Sequence, residues 1–259
     1  MKNNINSYHL SRKGKKNIEN EDCIVLPEIN KKFNLSSINT NEKGFLYVVC
    51  DGMGGHQAGE VASELCSNWL EKDYYESPVT DDIPNWLNNK IKYLNNKLYK
   101  LSKEHKEYSG MGTTLVNLLI KDEFAYINNV GDSRLYLFDF DKDKFQQITE
   151  DHSEVWKLYE QKIISKEDII THPRKNIITQ AMGIDKNVKQ NSYEIKLPKK
   201  YLFLLCSDGL TDVMIDDAIQ NIIEESSNLE EITESLYNLS QENKSKDDVS
   251  IVVVSNFKL

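Results

Sequence analysis

Seven short runs rich in β-branched and aromatic residues constrain this chain most. They are "CIVLP" (23–27), "FLYVVC" (45–50), "TTLVNLLI" (113–120), "FAYINNV" (124–130), "RLYLF" (134–138), "YLFLLC" (201–206) and "VSIVVV" (249–254). Each has strand length and is bounded by turn formers. Weaker strand signals lie at 6–11, 144–148 and 192–197. Several runs follow one another across hairpin-length links such as "GDS" at 131–133. A parallel pair needs a long crossover, so links this short predict antiparallel sheets. Helical periodicity appears in three places. Val61, Ala62, Leu65, Cys66, Trp69 and Leu70 form one stripe, and Leu87, Ile91, Leu94, Leu98 and Leu101 a second within 84–105. Leu229, Ile232, Leu236 and Leu239 form the third. Such stripes are core faces, so the helices are expected to group outside the sheets in an α+β fold. Residues 151–190 carry no strand signal and read as a helical or flexible insertion.

Hydrophobic residues make up 39% and charged residues 28% of 259, enough to bury a core. The net charge of −9 argues against nucleic acid or an acidic membrane as the main partner. Cys23, Cys50, Cys66 and Cys206 show no C-x-x-C spacing and sit in apolar segments, so buried reduced thiols are expected rather than zinc ligands or disulfides. "MKNNINSYHL" has no apolar signal-peptide core. No stretch approaches the roughly 20 apolar residues that cross a bilayer. A cytoplasmic protein is expected.

"VVCDGMGGHQAGEVASEL" (48–65) places four glycines, Gly52 to Gly59, directly behind Asp51. Glycine serves where the backbone needs positive φ or where something must approach the main chain closely. A P-loop would need a Gly-Lys-Ser/Thr ending, and the dinucleotide fingerprint needs another glycine spacing. The remaining carboxylates suggest a different use. "FLYVVC" runs into Asp51-Gly52 and "YLFLLC" through Ser207 into Asp208-Gly209. Glu21-Asp22 precedes "CIVLP", Asp247-Asp248 precedes "VSIVVV", and Asp132 lies in the "GDS" turn. In antiparallel sheets the end of one strand lies beside the start of its neighbour, so all five stations can share one rim. Asp and Gly as plain turn formers are the bland alternative for any one of them. Carboxylates crowded together need a cation, and Mg²⁺ or Mn²⁺ suits an all-oxygen set. The glycines would let Asp51 and a neighbouring carbonyl reach the metal.

The chain resembles the type 2C metal-dependent protein Ser/Thr phosphatases, in their compact bacterial form. The matching stretches, in the family's order, are "NED" (20–22), "DGMGGHQAGEVAS" (51–63), "GMGTTL" (110–115), "NVGDSRLYLF" (129–138), "ITEDHS" (148–153), "HPRKNIITQAMG" (172–183), "LLCSDGLTD" (204–212) and "DDVSIVVV" (247–254). The resemblance implies one domain over 1–259 with an αββα sandwich, two antiparallel sheets face to face with helix pairs outside. It implies that Asp51 bridges two Mn²⁺ or Mg²⁺ ions and that the Gly52 carbonyl binds the second. Asp208 and Asp247 would complete the first site. Glu21 and Asp22 would act through metal-bound waters, with Asp22 orienting the nucleophile. Asp132 matches a position that, with Asp208, helps hold a third ion in bacterial members. Residues 151–176 match the flap beside the active site.

The implied activity is hydrolysis of phosphoserine and phosphothreonine in proteins by direct attack of a metal-bridging water or hydroxide. Two ions can acidify that water and clamp the phosphate, and attack is in line on phosphorus. The implied partners are phosphorylated proteins and a Ser/Thr kinase, and the enzyme is expected to be monomeric. The chain departs from the family pattern in places. Asn17 stands where an arginine grips the substrate phosphate, so Asn17 and the neighbouring Lys16 become the candidate phosphate-binding residues. Asp247-Asp248 replaces Asp-Asn, and Gln180 replaces an arginine. Met53 stands where eukaryotic relatives often have a histidine, so no general acid is identified. His56 reads as structural, and His152 and His172 as packing or loop-capping groups. The alternatives are a phosphatase-fold regulatory or binding module with weakened turnover, suggested by Asn17, and another metal-dependent hydrolase such as a nuclease.

Overall fold

The computed structural model describes residues 5–15, 19–27, 43–54, 58–78 and 80–258. The strands are β1 (Asn6–Arg12), β2 (Asp22–Val25), β3 (Phe45–Met53), β4 (Gly112–Thr113), β5 (Leu115–Lys121), β6 (Phe124–Val130), β7 (Arg134–Asp139), β8 (Lys144–Gln147), β9 (Asn191–Lys196), β10 (Tyr201–Cys206) and β11 (Val249–Ser255). They form two sheets, a five-stranded one in the order β1-β11-β10-β7-β8 and a six-stranded one whose main path is β2-β3-β5-β6-β9, with β4 on β3. Every pairing is antiparallel. The run at 113–120 is divided: Thr114 separates β4 from β5.

The helices are α1 (Ala58–Glu76), α2 (Ile83–Glu104), α3 (Glu154–Glu160), α4 (Asp168–Thr171), α5 (Asp208–Thr211), α6 (Asp216–Glu225) and α7 (Leu229–Glu242). Helix α2 starts where the Asp82 carboxylate accepts a hydrogen bond from Asn85 N, with proline in its first turn. Helix α7 starts at Asn228, which accepts from Glu231 N. Helix α6 was not anticipated by the periodicity, because ten residues give its stripe little more than Ile219 and Ile223.

Strand alternation sorts the core into three layers. Tyr47, Val49, Val116 and Leu118 of one sheet meet Leu135, Phe203, Leu205 and Val252 of the other. On its outer face the six-stranded sheet turns Leu46, Val48 and Cys50 towards Cys66 and Leu70 of α1 and Leu87 and Ile91 of α2. The five-stranded sheet turns Tyr136, Leu204 and Ile251 towards Ile219 of α6 and Ile232 and Leu236 of α7. The result is the αββα order. Burying each large apolar side chain contributes about 1.5–3 kcal/mol, so the sandwich interior sets the frame. All four cysteines are free thiols, and only Cys23 is not fully buried. Residues 151–190 hold α3, α4 and turns. Val155, Trp156 and Ile169 pack there as a small separate cluster.

Candidate active site

The apolar stripe between the sheets changes character at one end. On β3 the inward positions run Tyr47, Val49 and then Asp51, and on β2 Ile24 is followed outward by Asp22. The same step leads from Val116 to Thr114, from Leu135 to Ser133, from Leu205 to Ser207, and from Val252 to Ser250 and Asp248. The period of two thus carries the core stripe into a layer of hydroxyls and carboxylates.

This layer is bonded across the two sheets. Thr114 Oγ1 and Ser133 Oγ lie 2.7 Å apart, and Thr114 Oγ1 accepts from Asp51 N at 2.9 Å. The Ser207 hydroxyl donates to Asp22 Oδ2 at 2.7 Å and accepts from Ser250 N at 3.0 Å. Asp248 is buried, and its two oxygens accept from Gly14 N and Glu21 N, each at 2.7 Å. The Glu21 carbonyl in turn accepts from Gly52 N at 3.0 Å and from the Ser63 hydroxyl at 2.6 Å. Asp247 Oδ1 accepts from Asp248 N at 2.9 Å.

Register explains why the acids meet. Asp22 is paired with Asp51 across β2 and β3. Cys206 is paired with Arg134, so two residues beyond each strand end Asp208 comes opposite Asp132. Burial raises the carboxyl of Asp51 well above the usual range, and Asp22, Asp208, Asp132 and Asp247 raise it further. Asp208 is raised by burial and then by Asp132, Asp212, Asp247 and Asp22. Asp22 and Asp132 are each pushed up to about 7, again chiefly by burial. Glu21 is raised by burial and by Asp248 and Asp247. Asp51 and Asp208 therefore lie within electrostatic reach of Asp22, Asp132 and Asp247, and Glu21 within reach of Asp247.

Comparison with known proteins gives this rim a context. The family model described as Protein phosphatase 2C matches residues 6–157, more than half of the chain. The chain belongs to the protein phosphatase 2C family. A second model, Stage II sporulation protein E, matches residues 165–256. This phosphatase 2C chain is 34% identical over 216 residues to the serine/threonine phosphatase stp of Listeria innocua, covering 82% of the chain and 85% of that protein. It superposes on the crystal structure of the serine/threonine phosphatase Stp1 from Staphylococcus aureus with a TM-score of 0.85 at 35% identity, covering 97% of this chain and 94% of that one. The catalytic domain of the serine threonine protein phosphatase PstP, solved in complex with 2 manganese ions, matches with a TM-score of 0.79 at 26% identity. That match covers 96% of this chain and 97% of the other.

The phosphatase 2C rim fits hard cations by its own chemistry. Asp22 Oδ1 and Asp208 Oδ1 are buried with no hydrogen-bond partner. Among the described residues Asp22, Asp51, Asp132 and Asp208 form no ion pair with a side-chain cation. Buried, mutually repelling carboxylates with spare lone pairs are what a divalent ion satisfies. Among the described residues no three His, Cys, Asp or Glu side chains already close on one point. Mg²⁺ and Mn²⁺ do not need such a cage, because Mg²⁺ keeps several waters and uses one or two carboxylates.

The phosphatase's glycines act by permitting close approach. A methyl group on Gly52 would overlap the carbonyl oxygen of Gly59 and press on that of Glu21, and one on Gly209 would overlap the carbonyl oxygen of Asp248. Each Asp-Gly pair thus lets an acid-bearing strand end slide under another acid-bearing segment. Sequence reasoning missed three contributors: Ser207, the structural role of Asp248, and Asp212, whose carboxylate pairs with Lys175 at 3.1 Å. The "SDG" spacing could have signalled Ser207, but nothing local signals the partners of Asp248. His152 and His172 cap loops, accepting from Gly131 N at 3.1 Å and Arg174 N at 3.2 Å. Gln180 accepts from Lys189 N at 2.9 Å. Lys16, Asn17 and His56 lie outside the described residues.

Proposed function

We infer that the acidic rim is the catalytic centre of a metal-dependent phosphatase that removes phosphate from phosphoserine and phosphothreonine in proteins. The observation that carries this reading is the like-charged rim of Asp22, Asp51, Asp132 and Asp208, with orphaned buried oxygens on Asp22 and Asp208. Family membership and the two-manganese neighbour support it. In this reading Asp51, the Gly52 carbonyl, Asp208 and Asp247 would hold two Mn²⁺ or Mg²⁺ ions. Glu21 and Asp22 would act through bound waters, and Asp132 with Asp208 would serve a third ion. When bound, the ions neutralise the phosphoryl oxygens and acidify water.

The chain's own groups supply orientation. Ser207 occupies Asp22 Oδ2, which leaves Oδ1 to accept a hydrogen bond from the attacking water. The bonds from Gly14 N and Glu21 N to Asp248 fix the backbone on which Glu21 is mounted. With methionine at 53, the leaving alkoxide takes its proton from water. As parts of the same proposal, residues 1–259 form one catalytic domain and the enzyme works as a cytoplasmic monomer on proteins modified by a Ser/Thr kinase. Among the described residues no helix is long and apolar enough to cross a membrane.

The test is turnover of a phosphothreonine peptide, p-nitrophenyl phosphate and DNA by purified protein, with Mn²⁺ and with EDTA. Release of phosphate from the first two, dependent on Mn²⁺, is expected. Undiminished turnover in EDTA would overturn the metal assignment, and cleavage of DNA alone would overturn the phosphatase reading. The weakened-module alternative rests on Asn17 and predicts phosphate release near background in the same assay.

A further inference from the structure

A cleft of about 350 Å³ opens beside Asp247, walled by Lys175, Gly209, Asp212, Lys244 and Lys246. Its outer wall is the turn that follows α7, and that turn is built to hold its shape. Lys244 sits in the left-handed region with φ of 66°. Asn243 Nδ2 donates to Val213 O at 2.9 Å, and the buried Ser245 hydroxyl donates to Gly209 O at 2.7 Å. Anchoring Ser245 inward leaves Lys244 and Lys246, on either side of it, exposed. Lys175 is already paired with Asp212. Lys244 and Lys246 form no ion pair among the described residues.

The cleft thus carries three ammonium groups against the carboxylates of Asp212 and Asp247, in a chain of net charge −9, and Lys244 and Lys246 stand on a fixed turn bordering the rim where the phosphoryl group is to react. Positive charge there attracts an anionic polypeptide and repels a basic one. We propose that this cleft binds the substrate segment flanking the phosphorylated residue and selects anionic flanks: aspartate, glutamate or a second phosphorylated residue. The proposal rests on the phosphatase reading above and adds a substrate preference to it.

The experiment compares phosphothreonine peptides with acidic, doubly phosphorylated and neutral flanks, on wild type and on a Lys244→Asn, Lys246→Gln double variant. Asparagine is chosen at 244 because it tolerates the left-handed backbone. Wild type is expected to show higher kcat/KM for both anionic peptides, mainly through KM. Exposed ion pairs are individually weak, so removing two should shrink that preference roughly two- to thirtyfold. The preference should also fall as salt rises, because screening shortens the reach of exposed charges. Equal use of anionic and neutral peptides by wild type, or an undiminished preference in the double variant, overturns the proposal. Wild-type turnover of p-nitrophenyl phosphate with Mn²⁺ is the separate control. Its absence would indict the phosphatase reading and not the cleft.

Discussion

Asp247 and Asp248 are adjacent in sequence and opposite in environment: Asp247 is exposed at the rim, while Asp248 is buried with both oxygens bonded to backbone N–H groups. A carboxylate offers two acceptors, whereas an asparagine offers one and would turn an N–H₂ towards a buried N–H. Asp248→Asn should therefore cost about 1–3 kcal/mol of stability, read as a lowered Tm in thermal unfolding. Asp247→Asn should instead raise the Mn²⁺ concentration for binding by calorimetry far more than Asp248→Asn does. The reverse order would show that the metal register is displaced by one residue. Asp51→Ala and Asp208→Ala should abolish phosphate release while leaving circular dichroism intact, because each would remove a proposed direct ligand from a site with few. Substantial turnover by either variant would remove that residue from the ligand set. At this scale the acids were legible because they sit at strand ends, but the hydrogen-bond partners of Asp248 depend on strand order, which no local pattern carries.

Among the elements, the strand ends and short helices meet through glycine. Gly209 opens α5 directly beneath the Asp248 carbonyl, so Gly209→Ala must push the α5 turn away from β11. Overpacking of this kind costs about 1–3 kcal/mol, and the shift also displaces Asp208 from Asp247. The expected outcome is a Tm lower by several degrees together with a weaker response to Mn²⁺. A variant with wild-type Tm and turnover would show that the contact relaxes harmlessly. The main strands were readable from β-branched, aromatic runs and their short links. Helix α6 was not, because Ile219 and Ile223 are a single helical repeat that competes with the turn-like "DD" before it. Residues 151–176, expected to form a flap, also escaped detailed reading. The segment is held from outside itself, by the fork of Arg134 on Asp151 at 2.7–3.0 Å and by Lys166 on Asp216.

For the molecule as a whole, burying the crowded acids of the rim without a counter-charge opposes folding. Asp22 and Asp132 bind protons up to about pH 7 in the fold, while an unfolded aspartate releases its proton near 4. The folded state thus carries more protons between those values, and linkage makes stability fall as pH rises through them. In EDTA, Tm should drop from about pH 5 to about pH 8, and saturating Mn²⁺ should remove or reverse that slope. Equal metal-free Tm values at both ends of the range would mean that the acids are better solvated than their burial implies. The same sheets fix where the molecule can be altered without touching this centre. Strands β1 and β11 run antiparallel, with Asn6 beside Ser255 at one end and Arg12 beside Val249 at the other, where Asp247 lies. Positions 6 and 255 are neighbours remote from the acids, and the exposed turn at 141–143 offers another opening on an edge hairpin. A circularly permuted gene that joins the first pair through a short linker and begins at that turn would keep every strand neighbour while renaming both ends.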